Sequence, residues 1–193
     1  MPLPKCLQSV GERIVEAIGS NGEPPYQLYV YPPSEEYAVR ADLKDLQLWL
    51  GARNVACQSI SLAELFWAAL EHSGWIDSVI EQEKQASGDP RALDDVYRSI
   101  GEILRQPPTL PDRVIAALDE IEDRTAVFLY RAGALYPAYR TSALLDDLKP
   151  RLRVPVTLLY PGTVVGEYGL KFMGRWDPAY GYRARIVVRG EAA

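Results

Sequence analysis

A search for chemistry in this chain meets a single histidine, His72. No Ser-His-Asp triad, Cys-His dyad or His-Glu-x-x-His zinc site can form unless His72 stands at its centre. A lone histidine near a helix end reads more simply as a surface or capping residue. The two cysteines, Cys6 and Cys57, form no Cys-x-x-Cys and have no histidines at zinc spacing. There is no Gly-x-Ser-x-Gly elbow, no Gly-x-x-x-x-Gly-Lys and no Gly-x-Gly-x-x-Gly. The nearest approach to a phosphate loop runs from Gly162 through Gly166 and Gly169 to Lys171, but its spacing is wrong and Glu167 would repel phosphate, so it predicts a flexible surface loop. Paired acids occur as Asp94-Asp95, Asp119-Glu120 and Asp146-Asp147. Neighbours on a helix diverge by about 100°, so such pairs do not offer two oxygens to one metal. The expectation is a protein without catalytic residues, metal or cofactor.

Two features rise above this background. Residues 1–148 carry 13 basic and 23 acidic side chains, whereas residues 149–193 carry 8 basic and 3 acidic. In that basic segment Arg175, Arg183, Arg185 and Arg189 interleave with Tyr160, Tyr168, Phe172, Trp176, Tyr180 and Tyr182. Such a composition fits a protein–protein hot spot, a stacking and phosphate-touching surface, or aromatics that fill a core with arginines lying beside them. The second feature is a Tyr-Pro dipeptide at Tyr31, Tyr136 and Tyr160. Each falls at or just beyond the end of a predicted strand. In a parallel sheet those ends share one edge, where ligands and partners dock. The expected partner-binding rim is Tyr31, Arg131, Tyr136, Arg140, Tyr160 and Trp176. The four arginines form the alternative, a nucleic-acid contact.

The elements that must position these residues are legible in the periodicity. A helix is predicted over Cys6–Ile18, a strand over Tyr26–Tyr31, and a helix opened by Ser34 and closed by Gly51. A short strand over Asn54–Ile60 leads to Ser61-Leu-Ala-Glu64, a capping box, and to a helix closing near Gly74. Helices follow over Trp75–Gln85, Asp89–Leu104 and Asp112–Glu122. Thr125–Tyr130 is a near-continuous apolar strand, Thr141–Leu152 a helix, Val154–Tyr160 a strand stopped by Pro161-Gly162, and Ala184–Val188 a last strand. This rhythm predicts one α/β domain over residues 1–193. Its mainly parallel sheet has about four to five strands flanked by helices, with a helical insertion at roughly 75–122 between strands two and three.

Composition agrees with that class. The chain has 193 residues, 48% hydrophobic and 24% charged, with formal net charge −5. That is enough to bury a core without a disulfide or metal staple, and too acidic for a protein wrapped in nucleic acid. Two cysteines fit a reducing compartment. No apolar run reaches membrane-spanning length, and the opening residues, with Pro2 and Pro4, predict no secretory leader. A cytoplasmic protein is expected.

Three stretches carry a resemblance to a known family: Thr125-Ala-Val-Phe-Leu-Tyr-Arg-Ala-Gly-Ala-Leu-Tyr-Pro137 with Tyr139 to Leu148 after it, Pro155-Val-Thr-Leu-Leu-Tyr-Pro-Gly162, and Leu170-Lys-Phe-Met-Gly174 with Tyr182 to Arg185. Together they resemble the BrxB proteins of bacteriophage-exclusion (BREX) defence systems. The resemblance implies an accessory subunit that works beside a methyltransferase, a large ATPase and the phosphatase-like subunit PglZ. It implies other BREX proteins as partners, PglZ foremost, with any DNA contact weak or indirect and no membrane partner. It brings no catalytic residues.

Overall fold

A computed structural model describes residues 3–20, 24–167, 169–182 and 184–190. Helix α1 (Lys5–Gly19) precedes strand β1 (Tyr26–Tyr31). A 3-10 turn (Pro33–Glu35) and helix α2 (Glu36–Gly51) lead to β2 (Ala56–Ser61). Four helices follow: α3 (Leu62–Ser73), α4 (Ile76–Ala86), α5 (Pro90–Arg105) and α6 (Leu110–Asp119). Next come β3 (Thr125–Tyr130), a 3-10 turn (Ala132–Leu135), α7 (Thr141–Leu148) and a second short turn (Lys149–Arg151). The chain closes with β4 (Val156–Val165), β5 (Gly169–Phe172) and β6 (Arg185–Val188).

The strands lie in the order β2-β3-β4-β1-β6, all parallel, with β5 antiparallel to the far end of β4. From β1 the chain crosses to β2 in one direction along the sheet. Thereafter β3, β4 and β6 follow in the other. Parallel crossovers share one hand, so α2 must lie on the opposite face from α3–α7. The buried side chains divide in that way. Tyr29 and Tyr31 of β1, with Phe128 of β3, meet Val10 and Ile14 of α1 and Val39 and Leu46 of α2. Leu28 and Val30 of β1, with Val127 and Leu129 of β3, meet Phe66 of α3, Leu104 of α5, Val114 of α6 and Leu144 of α7. Both central strands are covered on two faces, which is why their sequences lack a polar alternation.

The α/β reading with a mainly parallel sheet holds, and β1 and β3 have the predicted bounds. The differences have local causes. The helical excursion between β2 and β3 includes α3, so it begins at Leu62. Helix α6 starts at Leu110 because Thr109 caps it: the Thr109 hydroxyl accepts from the Asp112 N–H and the Asp112 carboxylate accepts from the Thr109 N–H. The Thr109 hydroxyl, which also donates to the Asp112 carboxylate at 2.7 Å, then Arg151 and the Thr109 N–H, hold the Asp112 carboxyl below its usual range. Ser61 caps α3 by accepting from Glu64 N–H at 3.3 Å. Gly51 is the last residue of α2, and the left-handed residue beyond it is Asn54. Ser34 lies in the 3-10 turn and does not cap α2.

The largest difference is at Pro161. Strand β4 does not stop there. Its parallel ladder to β1 ends at the Tyr31–Pro161 pair, and from Gly162 onward it pairs with β5. A proline has no N–H to continue a ladder, so β4 changes partner at this point. A Cβ on Gly162 would stand 2.5 Å from the Lys171 carbonyl oxygen and 2.6 Å from the Tyr160 ring, so only glycine lets the two strands close. The stretch expected to be a loose loop is therefore an antiparallel hairpin. Its residue Tyr168 lies outside the described residues.

Candidate functional site

The carboxyl ends of β1, β4 and β3 lie side by side, and the chain leaves β1 and β3 toward opposite faces. Such a switch point leaves a crevice above the strand ends. Here it is a cleft of about 340 Å³. Pro33, Glu36 and Arg40 form one wall, Ala63 and Trp67 of α3 another, and Arg131, Gly133, Pro161 and Met173 close it.

Arg131 follows β3 directly and sits in the left-handed region at φ 58°. A non-glycine residue pays about 1 kcal/mol or more to be there. Its side chain is exposed and makes no hydrogen bond or ion pair among the described residues. Across the cleft, Arg40 stands 3.6 Å from Glu36 and 5.1 Å from the centre of the Tyr37 ring. Glu36 also accepts the Tyr31 hydroxyl at 2.5 Å. Burial first, and that bond second, push the Tyr31 hydroxyl far above its ordinary pKa, so it stays a donor. Trp67 is 54% exposed although its neighbour Phe66 is core, and Tyr37 is 81% exposed. The cleft thus presents a guanidinium without a partner beside an uncovered indole.

The expected rim is corrected in part. Tyr31 is 1% exposed and faces α2, and Tyr160 is fully buried on the opposite face. Neither is a surface residue, because Tyr31 is covered by α2 and Tyr160 by the β5 hairpin and Tyr182. Tyr160 packs on Phe172 at 5.4 Å and on Tyr182 at 6.1 Å, and its hydroxyl meets that of Tyr182 at 3.4 Å. Tyr136 is half-buried against Phe172 and Trp176, at 6.2 and 5.4 Å. Trp176 is half-buried as well, with the exposed Arg140 guanidinium 4.9 Å from its ring centre. Of the three meanings of the aromatic segment, core filling accounts for most of its rings. Arg131 remains at the strand-end edge, and Tyr136, Arg140 and Trp176 form a separate, partly covered cluster.

Arg185 and Arg189 stand at opposite ends of β6. Arg185 stands at the amino end of β6, where it donates to the Ser9 carbonyl at 3.0 Å, to the Ser9 hydroxyl and to the Gln27 side chain at 3.2 Å. Arg189, at the other end, pairs with Asp42 at 2.6 Å and with Glu35. Those carboxylates hold its guanidinium protonated. Arg175 is exposed. Arg183 lies outside the described residues. The pairing of Arg189 with Asp42 and Glu35 corrects its assignment as a phosphate contact, whereas Arg185 stays exposed with part of its guanidinium bonded to Ser9 and Gln27.

Sequence reasoning did not single out Arg40, Trp67 or Met173 as site residues. A signal existed for Trp67: it lies one position off the stripe Leu62, Phe66, Ala69 and Leu70 that α3 buries. His72 is exposed near the end of α3, its Nδ1 2.7 Å from the Ala68 carbonyl oxygen. Among the described residues no three His, Cys, Asp or Glu side chains cluster to hold a metal ion. No helix among them is long and apolar enough to cross a membrane.

The family model for BREX protein BrxB matches residues 58–187, from within β2 to within β6. The chain belongs to the BrxB family. A BREX protein BrxB from Bacillus cereus (strain H3081.97) is 24% identical to it over 168 residues, covering 86% of this chain and 84% of that relative. No solved structure matches the chain. The BrxB match includes Trp67, Arg131 and Met173 of the cleft, and begins after the wall that supplies Glu36 and Arg40.

Proposed function

We propose that this BrxB-family chain is a non-catalytic assembly subunit of a BREX phage-defence system. It docks another BREX protein, PglZ foremost, at the cleft above the carboxyl ends of β1, β3 and β4. One observation carries the reading: at the switch point of the sheet, unpartnered Arg131 is held in a strained conformation beside exposed Trp67. Arg and Trp are the residue types that dominate protein–protein hot spots. The Arg131 carbonyl opens the following 3-10 turn by accepting the Ala134 N–H, whereas its guanidinium makes no bond among the described residues and is left for a contact with something else. The DNA-contacting alternative is weakened, because Arg185 and Arg189 are bonded within the chain.

The test is the affinity of the purified chain for its system's PglZ. Changing Trp67→Ala together with Arg131→Glu raises Kd by at least about tenfold, equivalent to about 1.4 kcal/mol, with the circular-dichroism melt little changed. An unchanged Kd overturns the cleft as the docking site. Duplex DNA binding in the same buffers stays weak. Tight binding that falls by a log–log slope of about −0.9 per phosphate would restore the DNA reading.

A further inference from the structure

The side chains lining the cleft above the strand ends have unspent hydrogen-bonding capacity of one kind. Three of them are charged: Glu36, Arg40 and Arg131. Glu36 is already engaged. One of its carboxylate oxygens accepts the Tyr31 hydroxyl, and the other stands 3.6 Å from Arg40 Nε. That separation is too long for a hydrogen bond, so the Arg40 guanidinium makes none among the described residues. Arg131 makes none either, nor does the Nε1–H of exposed Trp67. Guanidinium and indole groups can only donate. The rest of the lining is small or apolar, with Pro33, Ala63, Pro161 and Met173.

We infer that the cleft takes an acidic segment of the docked protein, with a carboxylate on Arg131 and Arg40 and an adjoining apolar side chain on Trp67 and Met173. The inference rests on the docking reading above and adds the chemistry of what docks. Free donors on both walls select an occupant that brings acceptors. A carboxylate offers two oxygens to the fork of a guanidinium, and the exposed indole gives the neighbouring residue an apolar plate. A phosphate fits less well. At such switch points phosphates are held by backbone N–H groups of a glycine-rich turn that opens a helix. Here β1 is followed by Pro32 and Pro33, which have no N–H. After β3 the Ala134 N–H is spent on the Arg131 carbonyl. The first turn of α3 already holds its cap, Ser61, and a carboxylate of its own, Glu64.

The experiment selects displayed short random peptides on the full chain, with counter-selection on a variant carrying both Trp67→Ala and Arg131→Glu. The expected result is enrichment of an Asp or Glu beside an apolar residue. In fluorescence anisotropy the enriched peptide loses about tenfold in affinity on Arg131→Gln. It loses less on Arg131→Lys, which keeps the charge without the fork. Changing the peptide's acidic residue to its amide weakens binding to the parent chain but costs little more once Arg131 is replaced by Gln. No enrichment, or peptides without an acidic residue, overturns the proposal. So does an acidic residue whose loss costs the same with and without Arg131. Displacement by inorganic phosphate, where chloride at equal ionic strength has no effect, would make the cleft a phosphate site and likewise overturn it. Competition with PglZ separates this inference from the docking reading. A peptide that binds as expected yet does not compete supports the acidic chemistry while removing PglZ from the cleft. If Trp67→Ala raises the Kd for PglZ while Arg131→Gln and Arg40→Gln leave it unchanged, the docking reading stands and the acidic segment is overturned.

Discussion

Arg131 and Arg189 both stand just beyond the carboxyl end of a parallel strand, yet their surroundings are opposite. Arg189, after β6, is clamped by Asp42 of α2 and Glu35 of the turn before it, and so ties the sheet edge to that layer. The Arg131 side chain, after β3, has no partner among the described residues, faces solvent and sits on a backbone conformation that costs energy. The basic segment 149–193 contains the first, and the acidic segment 1–148 contains the second. Charge counted along a sequence window therefore misplaces the presented charge. A guanidinium belongs to the surface only where the fold leaves it without a carboxylate, and Arg131 shows such a case outside the most basic stretch. The aromatics divide in the same way, with Tyr160 inside and Trp67 outside.

The largest effect expected from this division is on the aromatics. Tyr160→Ala empties a fully buried site between Phe172 and Tyr182, at a cost of about 3–5 kcal/mol. Trp67→Ala removes a larger ring for about 1 kcal/mol or less, since over half its surface is already in water. Urea unfolding of the two variants measures both. Equal losses would mean that Trp67 belongs to the core and that the cleft has no uncovered anchor.

Next in size is the clamp. Arg189→Ala leaves Asp42, a poorly exposed carboxylate, with the Tyr29 hydroxyl, 3.2 Å away, as its one remaining donor among the described residues. Hydrogen bonds to charged groups are worth about 1.5–3 kcal/mol each, and Glu35 is too exposed to add much. A loss of about 2 kcal/mol in urea unfolding, with affinity for PglZ unchanged, is the expected outcome. A variant of normal stability that no longer binds PglZ would assign Arg189 to the surface and erase its contrast with Arg131.

What the sequence disclosed, and what it withheld, follows the same line. Strand β3 was legible to the residue because a strand buried on both faces reads as a near-continuous apolar run, and β1 because its aromatic and β-branched residues are stopped by Pro32-Pro33. Strand β5 was not, because Gly169-Leu-Lys-Phe172 is short, carries a lysine and exists only through its pairing with the far end of β4. Tyr31, Tyr136 and Tyr160 share one local pattern, a tyrosine before a proline at the end of a strand. Their burial is decided by which layer lies over each, a tertiary fact that the dipeptide does not record. The cleft is tertiary too. Arg40 and Arg131 are far apart in sequence and meet only because β1 and β3 flank β4. The off-stripe position of Trp67 was the one clue available beforehand.

The smallest effect is also the sharpest, because its two readouts move in opposite directions. Arg131→Gly removes the side-chain clash of the left-handed conformation, which stabilises the native state, while glycine's freer unfolded chain takes back part of the gain. A net increase of about 0.5 kcal/mol is expected. Arg131→Ala keeps the strained backbone and leaves stability near its starting value. Both variants lose the same guanidinium, so both weaken PglZ binding alike. Thermal unfolding beside titration calorimetry separates the two terms. If Arg131→Gly proves less stable than the parent chain, the guanidinium has an internal partner and the strain at φ 58° is structural. If it is more stable and binds worse, the strain at the end of β3 persists because docking requires the arginine there.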